Sequence, residues 1–466
     1  MVRVFRVFVP TSVLALLISE VILIFTCYVT AAFLVLPLVD PYVYLTSDGG
    51  LWRIAAVVAC VMFGLYLHDL YTRFRIESRI VLFQQVCLVV GIAFLTQALF
   101  TYIRRPEWTL PKWIMITGSG MVLILLPVWR IVYANFVMKS IGSERLLFLG
   151  TSPVSQQVAE YITEHPEVGL SPIGYVDDNC EAGGSEMPGV PRVGCVTNLR
   201  EIVRQHKPDR IVVGMSERRG RMPVGDLLDM RFAGTRIEEA LITYETTFGR
   251  VPVRELRPAQ LIFSADLGPS DKKVFWQSIY SFAIAIILTV IFSPLMLLVA
   301  IAIKLTSRGP VLYRQRRVGR NGDVFTLYKF RSMNVNAEAT TGAVWATKSD
   351  PRITPVGRLI RNLRLDELPQ FFNVVKGEMS IVGPRPERPE FVDSLVEQVP
   401  YYRQRHCVKP GITGWAQINH KYGDTLDDTV RKLEFDLYYI KNLAPSLDAY
   451  IIFHTLKVML LSRGAQ

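Results

Sequence analysis

Long apolar runs and short alternating ones divide the chain into three stretches. Over 1–140, four runs reach membrane length, at 9–39, 51–70, 81–100 and 111–132. Each approaches or exceeds the ~20 residues that carry a helix across a hydrocarbon core. An N-terminal four-helix transmembrane region is therefore expected. The first run is too long for a cleaved signal peptide and has no small-residue cleavage site before the next. From Glu144 the runs shorten. Residues 145–150 (RLLFLG), 173–177 (IGYVD) and 210–214 (RIVVG) read as strands, with a helical stretch at 154–164. Strands alternating with helices predict a parallel sheet. A Rossmann-like α/β middle domain is thus expected over 141–250, then a linker at 251–271.

The longest apolar run, 274–305, opens the third stretch, 272–466. Beyond it, 309–333 reads as two β-like runs joined at Asn321-Gly322, a strong hairpin signal. Val356, Leu359, Ile360 and Leu363 fall at helical spacing, and 447–461 alternates as a helix lying on a membrane surface does. A C-terminal α/β domain is expected here.

Composition agrees with a membrane protein. Only 20% of the 466 residues are charged and half are hydrophobic, which excludes a disordered or fibrous chain. The net charge of +11 favours anionic partners. Its distribution sets an orientation, because Lys and Arg accumulate on the cytoplasmic side. Arg3 and Arg6 precede the first run, Arg73, Arg75 and Arg79 fill the second connection, and Arg130, Lys139 and Arg145 follow the fourth run. The first connection, 40–50, has neither Lys nor Arg. The N-terminus and everything beyond residue 140 are therefore expected in the cytoplasm, although Arg104, Arg105 and Lys112 then lie outside. Glu20 and the pair His68–Asp69 are too few polar groups for a transport pathway, so the helices read as an anchor. Six cysteines without a CxxC pair, and histidines without HExxH, speak against a zinc site or a disulfide framework and for a reduced, cytoplasm-facing protein.

The middle stretch has a strand, a glycine, a helix and the acids Asp177 and Asp178, the order found at dinucleotide sites. After Gly150, however, the turn reads Thr151-Ser152-Pro153, without the further glycines that let a backbone approach a pyrophosphate. A domain that regulates, assembles or weakly binds a nucleotide fits better than a redox centre.

The run 274–305 has positive charge at both ends. Lys272 and Lys273 precede it, and Lys304, Arg308, Arg314, Arg316 and Arg317 follow. Both ends then prefer the cytoplasm. Ser293-Pro294 interrupts the run, and proline removes a backbone donor and crowds the preceding turn. A broken helix that enters and leaves on one side satisfies both facts, with the serine hydroxyl taking up part of the freed bonding. An ordinary kinked span is the alternative.

Charged motifs crowd the remainder. Lys329 and Arg331 share one side of a strand. Arg358 and Arg361 recur along a helix, and Asp366-Glu367 follow just before Pro369, which suits a helix start. Adjacent carboxylates near arginines are what metal-assisted phosphoryl transfer needs: one to attack phosphorus, one to hold Mg²⁺, guanidinium groups to offset charge. Surface salt-bridging is the bland alternative. Arg385 stands between two prolines in 382–387 (VGPRPE), and 409–418 (KPGITGWAQI) is a glycine-punctuated turn leading into a strand. Prolines pre-order the backbone that presents a charge to a ligand.

The interrupted apolar segment, Lys329-Phe330-Arg331-Ser332-Met333, Asp366-Glu367-Leu368-Pro369-Gln370, Gly383-Pro384-Arg385-Pro386-Glu387 and 410–417 (PGITGWAQ) occur in that order. Together they resemble the bacterial sugar transferase family, the monotopic phosphoglycosyl transferases, over 272–466. The preceding helices and Rossmann-like domain resemble its large exopolysaccharide-type members. The resemblance implies transfer of sugar-1-phosphate from a nucleoside-diphosphate sugar, a UDP-hexose, to polyprenyl (undecaprenyl) phosphate at the bacterial inner membrane, with release of UMP. This is the first membrane step of exopolysaccharide or O-antigen assembly. It implies Asp366 as the nucleophile of a phosphosugar intermediate and Glu367 as the Mg²⁺ residue. Lys329, Arg331, Arg361, Arg385 and Gln417 would hold phosphates or the nucleotide, and the segment 274–305 would be re-entrant at Ser293 and Pro294. Partners on this reading are the two substrates and the bilayer, with other polysaccharide-assembly proteins and a second copy of the chain left open. One departure is Trp276, where many members carry an acid after Phe275.

Two rivals are weaker. A nucleotide-sugar dehydratase or epimerase needs the full glycine fingerprint and a YxxxK, and the chain has neither. A scaffold with a decayed site sits badly with an intact Asp366-Glu367 pair. Nucleic acid is not expected as a partner, because the basic residues flank membrane segments and the acidic pair.

Overall fold

The computed structural model describes residues 2–4, 6–36, 40–71, 79–103, 108–134, 143–177, 186–215, 222–256, 268–335, 352–420 and 425–460. The chain separates into two compact units, one of residues 1–2 and 8–239, the other of 3–7 and 240–466.

The first unit holds the helices Thr11–Val35, Gly50–Leu67, Arg79–Tyr102 and Lys112–Val132, each long and apolar enough to cross a membrane. Ile24, Ile54, Val61, Val86, Ile114 and Leu126 close their shared core. Exposed Leu34, Ile80, Leu95 and Ile124 cover the outside, as a lipid-facing surface requires. A short helix, Asp40–Thr46, occupies the connection that the charge pattern left blank. The polar groups are paired inside. Arg130 Nε lies 2.6 Å from Glu20 Oε1, its Nη1 donates to Leu70 O at 3.1 Å, and Tyr71 Oη donates to Glu20 Oε2 at 2.5 Å.

The same unit carries a five-stranded parallel sheet in the order Arg192–Cys195, Leu170–Asp177, Glu144–Leu149, Arg210–Val213, Arg236–Glu239. Leu146 to Leu149 are fully buried in the central strand, as a sheet covered on both faces demands. Chain order reverses beside Glu144–Leu149, where doubly wound sheets leave a crevice. Here it is closed. Gly150 has φ +88°, and a Cβ there would lie 2.8 Å from Gly214 O and 2.9 Å from the Met215 backbone. Ser152 caps the next helix, Pro153–Glu164, by accepting from Ser155 N. Asp178 lies outside the described residues. Cys195 is disulfide-bonded, against the expectation of reduced cysteines. Spacing that speaks against a framework is silent on a single clasp.

The second unit begins earlier than the expected boundary at 250. The helix Ala240–Phe248 belongs to it, held by Lys441 Nζ at 2.8 Å from Glu245 Oε2. The start of the expected linker is core: Val251 and Val253 are buried, and Val251 N donates to Glu434 O. At the centre runs the helix Leu426–Lys441, opened by a Thr425–Asp428 capping box and buried along Leu433, Leu437, Tyr438, Tyr439 and Ile440. The expected hairpin is Leu312–Val318 with Val324–Phe330, and Asn321 and Gly322 take the positive φ that their turn needs. Ser380–Val382 pairs parallel with Gly411–Thr413.

Asp271–Thr306 is a single helix of 36 residues. The break expected at Ser293-Pro294 is a continuous helical turn. Proline 294 leaves Val290 O without its N–H partner, and Ser293 Oγ donates to that same carbonyl at 2.8 Å. The freed acceptor is satisfied locally, so the helix need not open. Its first half hydrogen-bonds the core through Gln277 Nε2, which donates to Val382 O and to Asp448 Oδ2. Its last turns pack Met296, Val299 and Ile303 on Phe330 and Ile360. Ile287, Val290 and Ile291, between these contacts, are exposed.

Candidate active site

Asp366 and Glu367 lie on the short 3-10 turn Leu365–Glu367. Arg364 enters it at φ +54°, a left-handed conformation that non-glycine residues seldom adopt and that marks a locally forced backbone. Phe371 and Val374 of the following helix, Gln370–Val375, anchor the turn in the core.

Glu367 is the electrostatic centre. Its Oε1 accepts from Lys329 Nζ at 3.0 Å and from Arg385 Nη2 at 2.9 Å, with little of the carboxylate exposed. Burial opposes its charge, but the two cations outweigh burial and hold it well below the usual carboxylate range. Asp366 goes the other way. Burial first, then the Glu367 charge, push it up to about 6 against the pull of Lys329, Arg361 and Arg385. Two adjacent carboxylates whose affinities for protons are driven apart have separate roles available to them.

Each cation arrives on a supported element. Lys329 extends from the strand Val324–Phe330, whose outer edge is stitched by the fully buried Asn373. Tyr328 N donates to Asn373 Oδ1 at 3.1 Å, and Asn373 Nδ2 donates to Thr326 O at 2.7 Å. One side chain thereby fixes the lysine strand against the helix that follows the acidic turn. Arg385 lies in a loop whose carbonyls are individually held: Pro384 O accepts from Gly411 N, Pro386 O from Arg317 Nη1 and Glu387 O from Val318 N. Arg361, in the last turn of Pro355–Asn362, acts on Asp366 through its charge.

The other two expected residues bond to partners outside the acidic pair. Arg331 is not with Glu367. Buried beneath the end of the long apolar helix, it donates to Ser307 O at 3.1 Å, at the helix C-cap, and to Arg308 O at 2.8 Å, one residue beyond. Alternation gives Lys329 and Arg331 a common face but not a common target. Gln417 is on the short helix Trp415–Asn419, where a continuing strand was expected. Its Nε2 donates to Ile412 O, and its buried Oε1 has no hydrogen-bond partner among the described residues. Asn373 and Arg317 carry no motif signal; only their bonds beside the site, from a buried Asn373 and a half-buried Arg317, reveal them.

Residues 272–462 match the model of the bacterial sugar transferase family, and 62–224 that of a CoA-binding domain. The chain is 48% identical over 222 residues to a UDP-N-acetylgalactosamine-undecaprenyl-phosphate N-acetylgalactosaminephosphotransferase of Aeromonas hydrophila, covering 48% of this chain and 52% of that one. It is 32% identical over 336 residues to a UDP-glucose:undecaprenyl-phosphate glucose-1-phosphate transferase of Xanthomonas campestris, covering 68% and 66%. A relative of that same description from Klebsiella pneumoniae is 31% identical over 413 residues, 86% of this chain and 87% of the other. The chain thus spans about half to two thirds of the first two relatives and most of the third. With an extended match of that kind, the chain belongs to the bacterial sugar transferase family.

Proposed function

We propose that this protein transfers a sugar-1-phosphate from a UDP-hexose to undecaprenyl phosphate and releases UMP, as the first membrane step of exopolysaccharide or O-antigen assembly. The observation that carries the reading is the asymmetry of the acidic pair, with Glu367 neutralised by Lys329 and Arg385 while Asp366 is left to react. The names of the relatives supply the substrate class.

In the first step an Asp366 carboxylate oxygen attacks the sugar-bearing phosphorus. The bond from that phosphorus to the bridging oxygen breaks, and UMP leaves with the electron pair. In the second step a phosphate oxygen of the lipid attacks the same phosphorus, and the bond to Asp366 breaks to restore the carboxylate. Neither step needs a proton from the protein. Lys329, Arg361 and Arg385 offset charge spread over the phosphoryl oxygens. Two adjacent carboxylates fit Mg²⁺, which takes one or two carboxylates and completes its shell with phosphate and water. Glu367 would hold it against the donor diphosphate, where it would supply charge neutralisation.

The four N-terminal helices are read as spans, with the sheet and the transfer site on the cytoplasmic side. Asp271–Thr306 is read as dipping into one leaflet. Support comes from its two ends, which pack on the same catalytic unit while its apolar middle is exposed.

The test is nucleotide release by purified protein in a bilayer nanodisc, with undecaprenyl phosphate, Mg²⁺ and a panel of UDP-sugars that includes glucose and N-acetylgalactosamine. UMP formed only with Asp366 intact, and a phosphosugar adduct absent from Asp366→Asn, are expected. UDP as product would remove the reading.

A further inference from the structure

Arg385 presents an unusual problem of support. Neither neighbour, Pro384 nor Pro386, has an N–H to give, so the loop has to be fixed mainly through its carbonyls. Three of these are held by groups already described. The fourth, Arg385 O, accepts from Arg405 Nη2 at 3.0 Å. Arg405 comes from the 3-10 helix Tyr402–Cys407 and is 6% exposed. Its Nε donates to Asp436 Oδ2 at 3.1 Å, and its Nη1 donates to Tyr402 Oη at 2.6 Å. Asp436, on the central helix, is 2% exposed.

We propose that Arg405 is a positioning residue for the transfer reaction, fixing the backbone from which Arg385 reaches Glu367. The inference rests on the function proposed above. A buried ion pair contributes little net stability compared with well-packed apolar side chains, so stability alone does not account for this one. What the planar guanidinium adds is geometry. Its fork ties the central helix, the Tyr402 hydroxyl and the loop carbonyl at fixed angles, which a lysine cannot do. The side chain whose aim is thereby fixed is one of the two that neutralise Glu367. Displacements of about 1 Å in such groups cost on the order of 100-fold in rate.

Arg405→Lys tests this, since it keeps a positive charge opposite Asp436 and loses the fork. In the nanodisc assay kcat should fall about tenfold or more, with the donor KM changed less than about threefold, the pattern of an interaction made only in the transition state. In an Arg385→Ala background, where residual turnover is followed with radiolabelled donor, the same substitution should cost less than about twofold, because the group it aims is gone. Tyr402→Phe, which removes one hydrogen bond and keeps the ion pair, should give a smaller fall that also vanishes in that background. It decides the matter if Arg405→Lys does not fold. Wild-type kcat in the folded variant overturns the inference, as does an undiminished loss in the Arg385→Ala background. Absence of UMP release from the wild type would instead overturn the underlying function.

Discussion

Glu20 and Arg130 meet inside the N-terminal helix bundle, 110 positions apart in sequence, with Arg130 Nε 2.6 Å from Glu20 Oε1 and both side chains buried. Neither helix could carry its charge alone through an apolar surrounding. Removing one partner strands the other, at a cost of about 3–5 kcal/mol, whereas removing both leaves no buried charge, only the Tyr71 hydroxyl and the Leu70 carbonyl short of a partner. Arg130→Met should therefore reduce the yield of monodisperse protein in detergent and lower its thermal midpoint, and Glu20→Met/Arg130→Met should recover most of the loss. A double variant as damaged as the single one would mean that the pair does more than neutralise itself.

Activity should have an acid limb set by Asp366. Burial and the neighbouring Glu367 charge raise its pKa to about 6, and only the carboxylate attacks, so the rate falls as pH drops through that value and is flat above it. Lys329 lowers the pKa of Asp366. Removing that charge in Lys329→Met should shift the limb to higher pH, besides reducing the rate. The profile of kcat/KM against pH measures both, and a limb unmoved in the variant would show that Lys329 does not act on Asp366.

Glu367→Gln should leave Lys329 and Arg385 facing a neutral amide and deprive a divalent ion of its carboxylate. The expected outcome is a Mg²⁺ titration displaced to higher concentration, by about tenfold or more, or loss of turnover altogether. If the titration curve of the variant overlays that of the wild type, the metal is held elsewhere.

Much of the fold was legible because it depends on local pattern. Runs of membrane length became the helices from Thr11–Val35 onward, Asn321-Gly322 became the hairpin turn, and contiguous motifs brought Asp366, Glu367, Lys329 and Arg385 together. What escaped depends on tertiary contact. Periodicity puts Lys329 and Arg331 on one face but does not say how far each reaches, so Arg331 was expected at the phosphates rather than beneath the Ser307 carbonyl. Glu20 reads as a lone acid until Arg130 is folded against it. Val251 and Val253 are too few in sequence to announce a core contribution, and the buried Asn373 and Arg405 look like any surface polar residue. A buried polar group is defined by partners that sequence spacing does not reveal.

Ser293 and Pro294 carry the last prediction, about the course of the long apolar helix. Pro294 frees Val290 O and Ser293 Oγ occupies it, so the local structure tolerates a bend without an unsatisfied carbonyl in the hydrocarbon. Pro294→Ala would restore the backbone donor and favour a straight helix. At ~1.5 Å per residue, 36 residues reach well beyond a ~30 Å hydrocarbon core, so a straight helix is long enough to span. Opposing that are the Gln277 bond to Val382 near one end and the Arg331 cap on Ser307 at the other, which hold both ends to one catalytic unit. A fraction of Pro294→Ala chains is accordingly expected to place a C-terminal reporter outside, and adding Gln277→Ala should increase that fraction. A reporter that stays fully cytoplasmic in both variants would mean that flanking charge, rather than the proline, sets the topology.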